Sequence, residues 1–242
     1  MIGGLQTLTI TPQQEPPTNL QLIREVTLDS DCITLAAHGN DVYVGTEDGK
    51  ILKVDDRESI EILVNMNYSD LFLTGLCVHG GNLYSLSACE YDGPSTCISR
   101  YDLQNTIEEL HSWEFDDPDA DILGSKIAIT QNQLVVADIT NHRLTVYSLT
   151  GQLIRHVDCP QFTQYSWVCI CVSPSNPDVI IVSDYDSEQV FAVNLTTEAV
   201  LWTNNDISGP QGIVSYGAEY LLVAEAGEDT QLWILNANTG QS

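Results

Sequence analysis

The sequence predicts an all-β chain folded as a β-propeller of four-stranded antiparallel blades, with five repeats. Three observations predict it: a near-duplicated hexapeptide, a set of short apolar runs that recur in aligned columns, and the lack of any sustained helical periodicity. A repeat of 40 to 50 residues carrying four strands is what one propeller blade requires.

The hexapeptide comes first because it marks equivalent positions. Gln152-Leu-Ile-Arg-His-Val157 repeats Gln21-Leu-Ile-Arg-Glu-Val26 with one change, His156 for Glu25. A second column consists of apolar runs closed by a polar residue: Ile51 to Asp55, Ile98 to Asp102, Leu144 to Ser148, Val190 to Asn194 and Leu232 to Asn236. Their last residues fall at intervals of 42 to 47. Upstream of each lies a further run, at Val42 to Val44, Leu83 to Ser85, Leu134 to Val136, Ile180 to Val182 and Leu221 to Val223. Before that comes a small apolar residue: Ala36, Cys77, Ala128, Cys171 and Val214. Gly, Asn, Asp and Pro turns such as His38-Gly-Asn-Asp41 separate the runs, so each unit reads as four strands, a to d, from the ring axis outward.

The ends fit the same frame. The fifth unit stops after its strand c, and Leu20 to Leu28 reads as an outer strand without its own a, b and c. An N-terminal strand that completes the last blade closes the ring and covers its edge. Residues 1–18, with Pro12, Pro16 and Pro17, read as a flexible leader or linker, and residues 19–242 as the propeller.

Charge restricts the partners. Thirty-four Asp and Glu against eight Lys and Arg give a formal charge of −26, a field that repels phosphate backbones and anionic headgroups. Neither nucleic acid nor a membrane is expected as a partner. No stretch reaches the ~18 apolar residues of a membrane helix, and Met1 to Glu15 lacks a signal peptide's basic and apolar regions, so a cytoplasmic protein is expected. Seven cysteines without a C-x-x-C spacing indicate neither a zinc finger nor a full disulfide framework. Cys77 and Cys171 stand in the small-residue column and read as core. Cys89 and Cys97 flank the b–c hairpin of the second blade and are the pair that an oxidising compartment would bridge.

The third unit carries a family resemblance. Val136-Ala-Asp-Ile-Thr-Asn-His-Arg-Leu144 resembles the NHL repeat, whose Asn-His-Leu-type run follows a Val-Ala-Asp strand end, and Gly209-Pro-Gln-Gly-Ile213 looks like the same repeat's Pro-x-Gly-Ile lead into strand a. The propellers of tripartite-motif ubiquitin ligases are similar. They usually have six blades and bind proteins or RNA, so the resemblance implies a binding module, with substrate recognition for ubiquitination as one role. It also implies a structural rather than catalytic His142.

On a propeller the b–c and d–a loops emerge together, and they hold more than half of the 34 carboxylates. Solvated loops account for part of this. The functional reading is a non-catalytic scaffold whose acidic face, with Glu47, Asp48, Asp138, Asp184, Asp186, Glu225, Glu228 and Asp229, binds the basic segment of a protein partner. Within it Asp138, Asp184 and Glu225 share one column, where Thr46 and Ser87 stand in the first two blades. Six-bladed relatives of the resembled family include metal-dependent lactonases, and the alternative that this resemblance implies is a metal-dependent hydrolase or lyase of the lactonase type, with these three as Ca²⁺ ligands. The five histidines are scattered, and no Gly-x-Ser-x-Gly elbow or phosphate-binding glycine loop occurs.

Overall fold

The computed structural model describes residues 4–7, 24–55, 57, 59–66, 71–89, 95–103, 109–114, 127–163, 166–226 and 231–242. All regular structure among them is antiparallel β. The chain divides into two compact units, Met1–Pro118 and Asp119–Ser242.

The first unit opens with β1 (Gly4–Thr7) paired to β2 (Arg24–Thr27). Blade 1 follows, with β3 (Cys32–His38), β4 (Asp41–Thr46), β5 (Lys50–Val54) and β6 (Ile60–Asn65) hydrogen-bonded in chain order. Blade 2 repeats the order with β7 (Leu71–His79), β8 (Asn82–Cys89), β9 (Ser95–Asp102) and β10 (Glu109–Glu114).

The second unit holds three blades. Blade 3 is β11 (Ile127–Thr130), β12 (Gln133–Asp138), β13 (Arg143–Ser148) and β14 (Leu153–Asp158). Blade 4 is β15 (Val168–Val172), β16 (Val179–Asp184), β17 (Gln189–Asn194) and β18 (Val200–Asn204). Blade 5 has three described strands, β19 (Pro210–Tyr216), β20 (Tyr220–Glu225) and β21 (Leu232–Asn236).

The columns read from the sequence are the pairing register itself. Ala36, Cys77, Ala128, Cys171 and Val214 of strand a lie opposite Tyr43, Tyr84, Val135, Ile181 and Leu222 of strand b. Those in turn oppose Lys53, Arg100, Val146, Ala192 and Ile234 of strand c. Five blades thus share one register, because a one-residue slip in any of them would turn its buried face to water.

Packing follows from the two-residue side-chain period. In β16 all six residues are buried. Ile180 and Val182 join Val135, Ala137, Val146 and Phe191 in the core between blades 3 and 4, whereas Val179 and Ile181 join Ile213, Leu221 and Val223 in the core between blades 4 and 5. A strand covered on both faces needs a continuous apolar run, which Val179 to Val182 supplies. In the first unit, Tyr43 and Ile51 of blade 1 pack with Leu73, Leu76 and Leu83 of blade 2. Gly45 is required there, since a Cβ would lie 2.6 Å from Thr34 Cγ2 and 3.4 Å from Leu73 Cδ1. The residues after β21 are fixed onto β18: Asn204 Nδ2 donates to Gly240 O at 2.8 Å and Trp202 Nε1 donates to Ala237 O at 3.1 Å. Gly240 has φ +69°, and a Cβ on it would run into the Trp202 ring.

Two expectations change. The span read as a leader, residues 1–18, contains β1, which pairs with β2 from the span read as an N-terminal outer strand. Beneath that ladder Val26 and Leu28 are buried with Val42, Val44, Leu52 and Val54, on the face of blade 1 opposite the one that meets blade 2. In blade 2 the register sets Ser87 opposite Cys97 and Ser95 opposite Cys89, so the two cysteines are diagonal rather than facing.

Thiol chemistry reports this packing. Cys159 is fully buried and its thiol is pushed up to about 12, chiefly by desolvation, and that of Cys171 is likewise pushed up to about 12. Cys32 is exposed. Because the thiolate is the reactive form, iodoacetamide at pH 8 is expected to modify Cys32 in the folded chain and Cys159 only after unfolding. Mass mapping of the alkylated peptides checks the order.

Candidate functional site

In four blades strand b ends at one column, Thr46, Asp138, Asp184 and Glu225, and there the chain turns toward strand c, whereas in blade 2 it runs past the matching Ser87 to Cys89. A turn next to a doubly buried sheet strands backbone N–H groups that need acceptors. The column provides them.

In blade 3, Asp138 is 3% exposed. It accepts from Asn141 N at 3.2 Å, from Asn141 Nδ2 at 3.1 Å and from Arg143 Nε at 2.8 Å. His142 follows at φ +50°. Its Nδ1–H donates to Phe162 O at 2.7 Å, and its own carbonyl accepts from Cys159 N at 2.7 Å. The Asn-His-Arg run therefore ties the b–c turn to the segment that leaves β14, a structural role.

Asp184 does the same work in blade 4 without a cation. It is fully buried and accepts from Thr163 N at 3.0 Å, from Ser187 N at 3.2 Å and from the Ser166 hydroxyl. Ser166 Oγ in turn accepts from Asp186 N at 3.1 Å. Glu188 repeats the left-handed backbone of His142, at φ +54°. In blade 5, Glu225 accepts from Ser208 N at 3.2 Å and from Trp233 Nε1 at 2.8 Å. In blade 1 the Thr46 hydroxyl donates to Asp48 Oδ1 at 2.6 Å, and Asp48 is ion-paired with Lys50. These two partners hold the Asp48 carboxyl below its ordinary value.

The eight residues expected on an acidic face thus separate into classes. Asp138 and Asp184 are buried within their loops, and Glu225 is half-buried and engaged. Glu47, Asp48 and Asp186 are exposed, while Glu228 and Asp229 lie outside the described residues. The column Asp138, Asp184 and Glu225 is not assembled into one cluster: each carboxylate answers donors of its own loops. Among the described residues no group of three or more His, Cys, Asp or Glu is placed to hold a metal ion.

The sequence reading missed what surrounds Asp186. Tyr185 N donates to Trp167 O at 3.0 Å, which extends the Val168 to Asp184 pairing by one step and sets Trp167 opposite Tyr185. Trp167 is 55% exposed. The Tyr185 ring reaches over Gly209, where a Cβ would lie 2.8 Å from Tyr185 Cε2. Glu188 Oε1 accepts from Ser208 Oγ at 3.3 Å. One signal was available: no Lys or Arg occurs after Arg155, so every carboxylate from Asp178 onward lacks a basic neighbour in sequence.

Replacing Asp184 with Asn keeps its volume but puts an amide donor against donors. The expected loss is about 2 kcal/mol of stability, against less than ~0.5 kcal/mol for Asp186→Asn at an exposed position. Urea midpoints of the two variants measure the difference.

No protein-family model matches the sequence, and no curated protein matches it. Solved structures do. A protein of unknown function from Bacteroides caccae aligns at 14% identity with a TM-score of 0.67, over 91% of this chain and 84% of that one. A streptogramin B lyase structure aligns at 14% identity and a TM-score of 0.60, over 86% and 69%. The WD40 β-propeller domain of Doa1 aligns at 12% identity and a TM-score of 0.57, over 98% and 71%. At these identities the likeness shows the fold, and that fold is the β-propeller.

Proposed function

We propose that this propeller is a non-catalytic scaffold that binds a protein partner's basic segment through its acidic loops. The observation that carries the reading is the division of its carboxylates: Asp138 and Asp184 are enclosed and hold the loops, while Asp186, Glu188 and Asp206 project from those of the second unit into solvent. With no Lys or Arg after Arg155, the exposed carboxylates have few intramolecular cations to meet, and their potential favours a positively charged partner. A propeller with WD40 kinship in fold is compatible with this use. Substrate recognition for ubiquitination is the finer role that the NHL-like run Asn141-His142-Arg143-Leu144 supports.

The competing reading is a metal-assisted hydrolase or lyase, favoured by the likeness to a streptogramin B lyase. The engagement of Asp138, Asp184 and Glu225 by donors of their own loops weighs against their use as Ca²⁺ ligands, which need free oxygen positions.

Two measurements separate the readings. Asp186→Lys combined with Glu188→Lys is expected to weaken capture of immobilised basic peptides at physiological ionic strength, with the melting temperature unchanged; undiminished capture refutes the scaffold surface. Titration with Ca²⁺, Mn²⁺ or Zn²⁺ is expected to leave the melting temperature where it was, whereas stabilisation that grows with metal concentration marks a bound metal and favours the enzyme.

A further inference from the structure

Trp167 is the most conspicuous apolar residue on the described surface of the second unit that carries neighbouring charge. A tryptophan is seldom left more than half exposed, because burying an aromatic ring of its size is strongly favourable. Here the cause is local. Val168, the next residue, is buried as the first residue of β15, and Ser166, the one before, is buried under Asp184. The side chain between two inward-facing neighbours on an extended backbone is directed outward.

The chain segments beside Trp167 are held by hydrogen bonds and carry exposed carboxylates. Trp167 O is bonded to Tyr185 N, Asp186 N is bonded to Ser166 Oγ, and Glu188 is held by Ser208 Oγ. Tyr185 is held in turn by the space that Gly209 leaves open. Asp186 and Glu188 are exposed, and the sequence supplies no Lys or Arg from residue 156 onward. An exposed indole, a second aromatic ring across the strand pair and two exposed carboxylates therefore share one preorganised loop cluster.

From this juxtaposition we infer that Trp167 is the anchor of the binding surface and that its occupant is an arginine side chain displayed on an extended segment of a partner protein. A guanidinium stacks on an indole face through its plane and keeps its N–H fork free for carboxylates. Lysine has the charge but neither the plane nor the fork. Tryptophan and arginine are also the residue types that most often dominate an interface. The inference rests on the scaffold reading above and gives it a residue and a ligand chemistry.

The test uses the full chain and two fluorescent peptides of equal charge, Gly-Gly-Arg-Gly-Arg-Gly-Gly and its lysine counterpart. Anisotropy is read at about 0.15 M salt, where exposed charges farther apart than about 8 Å are largely screened. The arginine peptide is expected to bind more tightly than the lysine peptide. Trp167→Ala lowers its affinity about tenfold or more and removes the preference, while Trp167→Phe retains part of both. Asp186→Lys weakens both peptides. Equal binding of the two peptides, unaffected by Trp167→Ala but weakened by Asp186→Lys, overturns the arginine anchor and leaves the acidic loops standing. Failure of both peptides to bind, or binding indifferent to Asp186→Lys, overturns the anchor and the scaffold reading together. Melting curves of each variant confirm that the exposed positions leave the fold intact.

Discussion

A strand buried on both faces cannot end in an ordinary solvated turn. Its last residues give up ladder hydrogen bonds while water is still excluded, so the N–H groups of the turn must be met by side chains. Four blades answer this at one position, the end of strand b, and the answers differ in chemistry. Thr46 uses a hydroxyl that accepts from Lys50 N, Asp138 a carboxylate paired with Arg143, Asp184 a carboxylate met by two backbone N–H groups and a serine, and Glu225 a carboxylate shared between Ser208 and the Trp233 indole. In blades 4 and 5, remove that acceptor and the segment leading into the same blade's strand a loses its tether, since Thr163, Ser166 and Ser208 are all held through it.

The same constraint organises the surface. Because Asp184 fixes Ser166 and Ser187, the residues beside them have little freedom left: Asp186 is tied through its backbone N–H, and Trp167 is carried outward by the register. Groups already held in place lose less entropy on binding than groups on a loose loop. A buried carboxylate network therefore acts on the loop surface indirectly, by preorganising what solvent and partners meet. Substitution of Asp184 would damage that surface without touching it.

Much of the architecture was legible because it depends on a local period. Short continuous apolar runs such as Leu134 to Val136 or Ile180 to Val182 specify a strand, and their spacing against the runs on either side specifies its neighbours. The residues that share a column in the sequence are the paired residues of all five blades. The N-terminal portion was less legible. Leu20 to Leu28 carries an outer-strand pattern, but a pattern shows what face is apolar, not which edge will bond to it, and β2 took β1 as its partner.

The candidate site divides along the same line. By itself the sequence determined that carboxylates collect in the b–c loops, that Asp138, Asp184 and Glu225 are equivalent, and that basic residues are scarce among them, since these follow from composition and repeat spacing. Only the tertiary structure decided which of those carboxylates reach solvent. Donors that enclose Asp184 come from Thr163 and Ser166, and a donor that engages Glu225 comes from Ser208, all on segments that lead into strand a of the same blade. No local pattern reports where such a segment will lie, and so Trp167, placed outward by its two buried neighbours, became visible only in the folded chain.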